Sequence, residues 1–169
     1  MQLSYGCLNK TLTGIHSGIM QTVPDFILPS TGGKNFQLSA CSAKFILLYF
    51  YPKDNTPGCT TESQQFRDAH EDFVRLGCQV LGISRDSIKS HENFKSQYNL
   101  PFDLLSDGEE LACNLFGVLK QKMMYGKAVR GIERSTFLLD SEKRILKEWR
   151  GVKAEGHAED VLNHLKSIA

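Results

Sequence analysis

Tyr49–Glu62 has the sequence YFYPKDNTPGCTTE, in which an apolar strand passes through a short polar turn into the start of a helix. Thr56 is a favourable N-cap residue and Pro57 fits the first helical position, which makes Cys59 the third residue of the helix. The free amides and the positive dipole end of a helix stabilise a thiolate, and the thiolate is the reactive form of cysteine. The sequence therefore predicts Cys59 as a nucleophile.

The composition limits the classes of protein to which the chain can belong. It has 169 residues, and its 20 basic and 19 acidic residues leave a formal charge of +1. This balance gives no electrostatic reason to expect nucleic acid or an anionic membrane as a partner, and no apolar run approaches the roughly 18 residues of a membrane span. The histidines lack metal-ligand spacing and no glycine-rich phosphate loop is present, so we expect neither a metal nor a cofactor.

The five cysteines are scattered along the chain and include no CxxC pair. A secreted disulfide framework or a structural zinc site has a different pattern, so we expect reduced cysteines in a cytoplasmic protein. Residues 1–19 contain nothing expected to carry chemistry and are predicted to be an N-terminal extension or tail. Residues 20–169 are predicted to form a single domain, since a chain of this length can bury about two-thirds of its unfolded surface.

Strand and helix patterns alternate along the chain. The continuous apolar run Phe45–Tyr51 predicts a central strand buried on both faces, and apolar residues spaced by three and four predict a helix from Cys59 to Leu76. The later predicted elements are a strand over Cys78–Ser84, a helix after Asp86 or Ser87, a short strand at Leu104–Leu105, a helix over Glu109–Phe116, a loop containing Met123–Tyr125, a hairpin of Thr136–Leu139 with Ile145–Trp149, and a C-terminal helix. This order predicts an α/β protein with a thioredoxin-like fold, in which helices flank a central mixed sheet.

The motif Pro52-x-x-x-Thr56-x-x-Cys59 resembles the active-site motif of the peroxiredoxins, and the longer run around it is similar to their bacterioferritin comigratory protein (PrxQ) branch. The resemblance extends over roughly residue 23 to the C-terminus. The further segments that follow in the order of that family are Val80–Ser84, Leu104–Asp107, Phe116–Val118 and Arg134–Asp140. A thioredoxin would have a second cysteine where this chain has Thr56. Without a neighbouring thiol, Cys59 can attack a peroxide oxygen and persist as a sulfenic acid.

Cleavage of a peroxide bond needs a positive charge beside the cysteine, to favour the thiolate and to stabilise the oxygen that leaves. Arginine suits this role because it stays charged and presents a planar set of donors. Arg134 precedes an apolar strand and is the residue that the resemblance implies as the active-site arginine, with Arg130 and Arg67 as alternatives on sequence grounds. By the same resemblance Pro52 shields the cysteine from water, although it also serves simply to end a strand.

Three further residues are candidates for the site. The Thr56 hydroxyl is expected to cap the helix and to bond the thiolate and the peroxide. The backbone amide of Gly58, with that of Cys59, is expected to bind the peroxide. Glu62 lies three residues after Cys59 on one helical face, where it either orients the arginine or faces solvent.

Many PrxQ proteins have a second, resolving cysteine, and this chain lacks a cysteine at the positions where it usually lies. Gln64 occupies the position in the first helix that often holds this cysteine, and the alternative position near Phe94–Ser96 also lacks one. The other cysteines, which are Cys7, Cys41, Cys78 and Cys113, fit packing roles or the tail better. We therefore predict a one-cysteine mechanism without a resolving cysteine.

The predicted function is that of a thiol-dependent peroxidase that reduces hydrogen peroxide and organic hydroperoxides. The sulfenic acid would be reduced by an external thiol, either thioredoxin or a small thiol, and we expect a monomer or a weak dimer. A glutathione-peroxidase-like or disulfide-exchange protein is a second hypothesis, although the missing CxxC disfavours exchange. A third is a redox sensor or binding module that is switched by oxidation of Cys59.

Overall fold

The computed structural model describes residues 20–169, so the predicted tail and Cys7 lie outside the described residues. Within this range the strands are Ile27–Ser30 (β1), Lys34–Gln37 (β2), Phe45–Phe50 (β3), Cys78–Ser84 (β4), Leu104–Ser106 (β5), Leu119–Met124 (β6), Lys127–Ile132 (β7), Ser135–Asp140 (β8) and Ile145–Arg150 (β9). The α-helices are Pro57–Asp68 (α1), His70–Arg75 (α2), Ile88–Gln97 (α3), Leu111–Phe116 (α4) and His157–Ile168 (α5). None of these helices is long and apolar enough to cross a lipid bilayer.

Seven strands form one mixed sheet in the order β2-β1-β5-β4-β3-β8-β9. Strand β3 is an interior strand of this sheet, parallel to β4 and antiparallel to β8. The two parallel connections, β3 to β4 and β4 to β5, pass through helices, as parallel neighbours require. The prediction of an α/β fold with a central mixed sheet flanked by helices is confirmed.

The apolar run of β3 supplies both cores of the protein. Its side chains alternate between the two faces, with Ile46 and Leu48 in one apolar cluster and Leu47 and Tyr49 in the other. Helices α1, α2, α3 and α5 contribute side chains to the Tyr49 cluster, whereas α4 contributes to the opposite one. A strand covered on both faces needs no polar side, which explains the uninterrupted apolar sequence.

Two predicted helices have different bounds in the structure. The expected continuous helix from Cys59 to Leu76 is divided at Ala69, whose ψ of 0° departs from the α-helical value and whose carbonyl accepts the amide of Asp72 at 3.1 Å. The helix expected over Glu109–Phe116 begins instead at Leu111, because Glu110 has a left-handed φ of 61°. Apolar spacing did not reveal either backbone change.

The loop expected around Met123–Tyr125 is a hairpin. Strands β6 and β7 pair from Leu119↔Ile132 to Met124↔Lys127, and Tyr125 and Gly126 form the turn with φ values of 52° and 77°. Two positive φ values are typical of the two-residue turns that match strand twist. The prediction was wrong because nearly the whole hairpin is exposed, so its sequence has no alternation of buried and exposed residues.

Candidate active site

Cys59 lies where the sequence predicts, in the first turn of α1. Thr56 precedes the helix with extended backbone, Pro57 begins it, and the amide of Thr60 donates to the carbonyl of Thr56 at 2.9 Å. The amides of Gly58 and Cys59 precede this first intrahelical bond, at the helix end where donors lack helical partners. Cys59 is only 1% exposed, so its sulfur lies largely out of solvent.

The Thr56 hydroxyl does not make the predicted cap. Its Oγ1 donates to the carbonyl oxygen of Lys53 at 2.8 Å, and no side-chain bond to the helix amides is present. The residue occupies the N-cap position, but its hydroxyl closes the preceding loop instead. An oxygen that donates one hydrogen keeps lone pairs for accepting others, so the expected contact with a peroxide stays a prediction.

Arg134 is the arginine that the structure brings to the cysteine. Its Nη2 lies 3.5 Å from the Cys59 Sγ, and its Nη1 donates to Glu62 Oε1 at 2.8 Å. It comes immediately before β8, whose first residue, Ser135, pairs with Phe50 at the end of β3. This register sets the arginine beside the strand end from which the chain enters α1.

The two alternative arginines are engaged elsewhere. Arg67 donates to the carbonyl oxygen of Tyr98 at 2.9 Å. Arg130 donates to the Asn114 side chain at 3.1 Å and lies 3.5 Å from Glu110. These contacts support the α1–α3 packing and the base of the hairpin respectively, so Arg134 alone among the three candidates contacts Cys59.

Gly58 has a steric role in addition to the expected backbone contact. A Cβ atom at this position would lie 3.1 Å from Arg134 Nη2, closer than most real Cβ contacts. Glycine therefore leaves room for the guanidinium directly against the start of the helix. Pro52 follows β3 and is exposed, and its expected shielding of the cysteine stays a prediction.

Glu62 is buried rather than solvent-facing. Its side chain is 0% exposed, it contacts Arg134 through Oε1, and its Oε2 is buried without a hydrogen-bond partner. Burial raises the pKa of Glu62 to about 7, because the loss of solvation outweighs the favourable charge of Arg134. Of the two roles considered from the sequence, the structure supports contact with the arginine.

His157 is a buried histidine near the site that the sequence did not indicate. Its Nε2 lies 2.7 Å from the hydroxyl of Thr136 on β8. Burial, together with the nearby charge of Arg134, lowers the pKa of His157 to about 4 despite the opposing effect of Asp160. The ring is therefore neutral at pH 7 and adds no second positive charge.

A buried polar network that sequence analysis also missed anchors the loop before α1. Asp54 accepts hydrogen bonds from the hydroxyls of Tyr51 at 2.6 Å and Ser90 at 2.8 Å, and its Oδ2 lies 2.7 Å from His91 Nδ1. One carboxylate oxygen of Asp54, one of Asp86 and a ring nitrogen of His91 all lie within 4.8 Å of one another, a spacing that could hold a metal ion. Hydrogen bonds within the protein account for these groups, so the network joins the active-site loop to α3.

Replacing Asp54 with alanine is expected to lower the free energy of unfolding by about 3 kcal/mol, because the buried hydroxyl of Tyr51 and the half-buried hydroxyl of Ser90 would lose their acceptor. Urea unfolding followed by circular dichroism measures this loss. Asp68→Ala is the control, since this side chain is 68% exposed and its removal should change stability by less than about 0.5 kcal/mol. Equal stability of the two variants would show that the network does not hold the loop.

Comparisons with known proteins agree with this arrangement. The AhpC/TSA family profile matches residues 19–148. Peroxiredoxin Bcp of Bacillus subtilis is 48% identical over 151 residues, which cover 89% of this chain and 96% of that protein. A structure of the Xanthomonas campestris bacterioferritin comigratory protein superposes with a TM-score of 0.81 at 48% identity, covering 85% of this chain and 91% of that one. A cysteine-to-serine mutant of Xylella fastidiosa PrxQ gives 0.84 at 43% identity, with coverage of 92% and 99%. The chain therefore belongs to the AhpC/TSA family and, within it, to the Bcp/PrxQ peroxiredoxins, which are thiol peroxidases.

Proposed function

We propose that this chain reduces hydrogen peroxide and organic hydroperoxides with Cys59 as the nucleophile. The observation that carries the proposal is the 3.5 Å contact between Arg134 Nη2 and a cysteine sulfur in the first turn of a helix. The thiolate attacks the terminal peroxide oxygen, an S–O bond forms, and the O–O bond breaks. The products are the sulfenic acid and an alkoxide or hydroxide, which takes up one proton.

The residues around the sulfur fit both stages of this step. Arg134 and the amides of Gly58 and Cys59 stabilise the thiolate before the reaction and the negative oxygen as it leaves. The related X. campestris protein is described in connection with alkyl peroxide reduction, which supports organic hydroperoxides as substrates here.

We infer a one-cysteine mechanism from the positions of the other cysteines in residues 20–169. Cys41 and Cys113 belong to the apolar cluster on the face of the sheet opposite to Cys59. Cys78 begins β4 and pairs with Phe45, whereas the site lies beyond the other end of β3. Six strand residues span about 20 Å, far more than the roughly 4 Å between the β-carbons of a disulfide. Burial also raises the pKa of Cys78 to about 12, which keeps it a thiol.

An external thiol is then the proposed reductant, either thioredoxin or a small thiol in a reducing cytoplasm. With Cys59 only 1% exposed, a protein thiol cannot reach the sulfenic acid in this conformation. The first turn of α1 has to open for the disulfide exchange geometry to form. Small thiols need a smaller opening, so their rates and those of protein thiols should respond differently to the stability of α1.

Oxidation with one equivalent of peroxide, without reductant, is expected to leave Cys59 as a sulfenic acid. Trapping with dimedone followed by peptide mass spectrometry measures its yield. With excess peroxide, sulfinic acid should accumulate, because no internal thiol competes for the sulfenic acid. A stoichiometric disulfide from Cys59 to any other cysteine, including Cys7 of the undescribed segment, would contradict the one-cysteine mechanism.

A further inference from the structure

One positive charge in the site has two acidic partners. Arg134 contacts Cys59 Sγ through Nη2 and Glu62 Oε1 through Nη1. If Cys59 and Glu62 were both anionic, this nearly buried cluster would carry an excess negative charge. Burying an uncompensated charge is costly, and closely spaced acids around one cation generally titrate as a pair.

The other titratable groups that face this cluster do not supply a second cation. Tyr49 on β3 feels the charges of Glu62 and Cys59, but burial raises the pKa of Tyr49 far above its usual range and keeps its phenol neutral. His157 on α5 is neutral because burial lowers its pKa to about 4. Within residues 20–169, Arg134 is therefore the cation that Glu62 and Cys59 have to share.

The unpaired oxygen of Glu62 indicates where a proton fits. Oε1 accepts from Arg134, whereas Oε2 is buried and has no partner. An anionic carboxylate would leave this oxygen charged and unsolvated, whereas a protonated one carries its hydrogen there at lower cost. The pKa of Glu62, raised by burial to about 7, agrees with a carboxyl group that gains and loses a proton near neutral pH.

We propose that Glu62 and Cys59 share one proton across Arg134, so that Glu62 is protonated while Cys59 is a thiolate and ionises when Cys59 is oxidised. The inference rests on the proposed peroxide chemistry of Cys59. Glu62 contacts Arg134 and not the reacting atoms in this structure, so it is a positioning residue that also holds a proton.

The peroxide step then balances within the site. The thiolate, the protonated Glu62 carboxyl and a hydroperoxide become the sulfenic acid, the Glu62 carboxylate and an alcohol or water. The S–O bond forms as the O–O bond breaks, and the proton lost by Glu62 equals the proton taken up by the leaving oxygen. The neutral sulfenic acid releases Arg134 to pair fully with the Glu62 carboxylate.

Proton uptake during a single turnover tests this balance. With a pH indicator at pH 8, the unmodified protein is expected to take up almost no proton from solvent when Cys59 is oxidised. Glu62→Gln, which cannot donate, should take up about one proton per Cys59 oxidised. The exposed Glu155→Gln is the control and should behave like the unmodified protein. Equal uptake of about one proton in all three proteins would overturn the proposal.

Thiolate absorbance against pH gives a second test that needs no peroxide, with Cys59→Ser as the baseline. Glu62→Gln should form the thiolate at nearly the same pH as the unmodified protein, because a protonated Glu62 is as neutral as the glutamine that replaces it. If Glu62 were instead a carboxylate while Cys59 ionises, removing its negative charge should move thiolate formation to a pH lower by about one unit or more. A shift of thiolate formation in that direction would overturn proton sharing. If the thiolate titrates as expected but peroxide forms no sulfenic acid, only the proposed function is overturned.

Infrared difference spectroscopy of the unmodified protein keeps the test independent of variant folding. Oxidation of Cys59 should remove a carbonyl band of a protonated carboxyl group and add carboxylate bands. A difference spectrum that shows oxidation of Cys59 but no change in the carboxyl and carboxylate bands would contradict the proposal.

Discussion

Cys59→Ser is expected to abolish peroxide reduction, with a fall in the rate on the order of 10⁴-fold or more. A serine hydroxyl is not ionised near neutral pH, and it cannot form the sulfenic acid through which the reaction passes. The substitution nearly preserves volume at a 1% exposed position, so the helix start and Arg134 should stay in place. Peroxide consumption by stopped flow, with a thiol reductant in excess, measures the loss.

Cys78→Ser and Cys113→Ser are the matched controls, because both remove a buried thiol outside the site. Both should keep the rate of the first oxidation step, once their stability has been checked by urea unfolding. Near-normal turnover in Cys59→Ser would eliminate Cys59 as the nucleophile. Rapid stoichiometric oxidation without turnover, in the unmodified protein and with several thiol reductants, would favour the redox sensor.

The sequence predicted the nucleophile because its signals are local. Thr56, Pro57 and Cys59 lie within four positions, so helix-start preferences alone place the sulfur in the first turn. Arg134 was found from the resemblance and from its place before an apolar strand. The β3–β8 register, which pairs Ser135 with Phe50, explains why that place is close to Cys59.

The side chains that sequence analysis missed make contacts between distant parts of the chain. Asp54 meets His91 across 37 positions, and Thr136 meets His157 across 21. No periodicity connects such residues, because their meeting depends on how α3 and α5 pack on the sheet. The prediction that the Thr56 hydroxyl caps the helix was wrong for a related reason. A carbonyl of its own loop competes with the helix amides for the hydroxyl.

Glu62 shows the limit of reasoning from helical spacing. Its position three residues after Cys59 predicted a shared face, but left open whether that face meets solvent or the arginine. The structure buries it completely beside Arg134, because the segment just before β8 brings the guanidinium to the helix from outside it. The pKa of a carboxyl group depends on that burial, so its raised value had no signal in the sequence.

Arg134→Met is expected to slow the reaction of Cys59 with peroxide by about 100-fold or more. Methionine keeps much of the volume of the arginine stem but removes both the 3.5 Å contact with Sγ and the only side-chain hydrogen bond of Glu62 among the described residues. The remaining helix-end amides still favour the thiolate. The rate of peroxide reduction should therefore fall by a larger factor than the fraction of Cys59 present as thiolate. The reason is that only O–O cleavage develops negative charge on a leaving oxygen.

Parallel measurement of alkylation separates these two effects. Iodoacetamide reacts with the thiolate but expels iodide, which needs little help from Arg134, so its rate should fall much less than the peroxide rate at the same pH. Arg130→Met is the matched control, because this arginine contacts Asn114 and Glu110 at the base of the hairpin and should leave both rates unchanged. Equal slowing of peroxide reduction and alkylation in Arg134→Met would reduce the arginine to an acidifying group. Normal peroxide rates would remove it from the mechanism, and the helix amides would then have to stabilise the leaving oxygen alone.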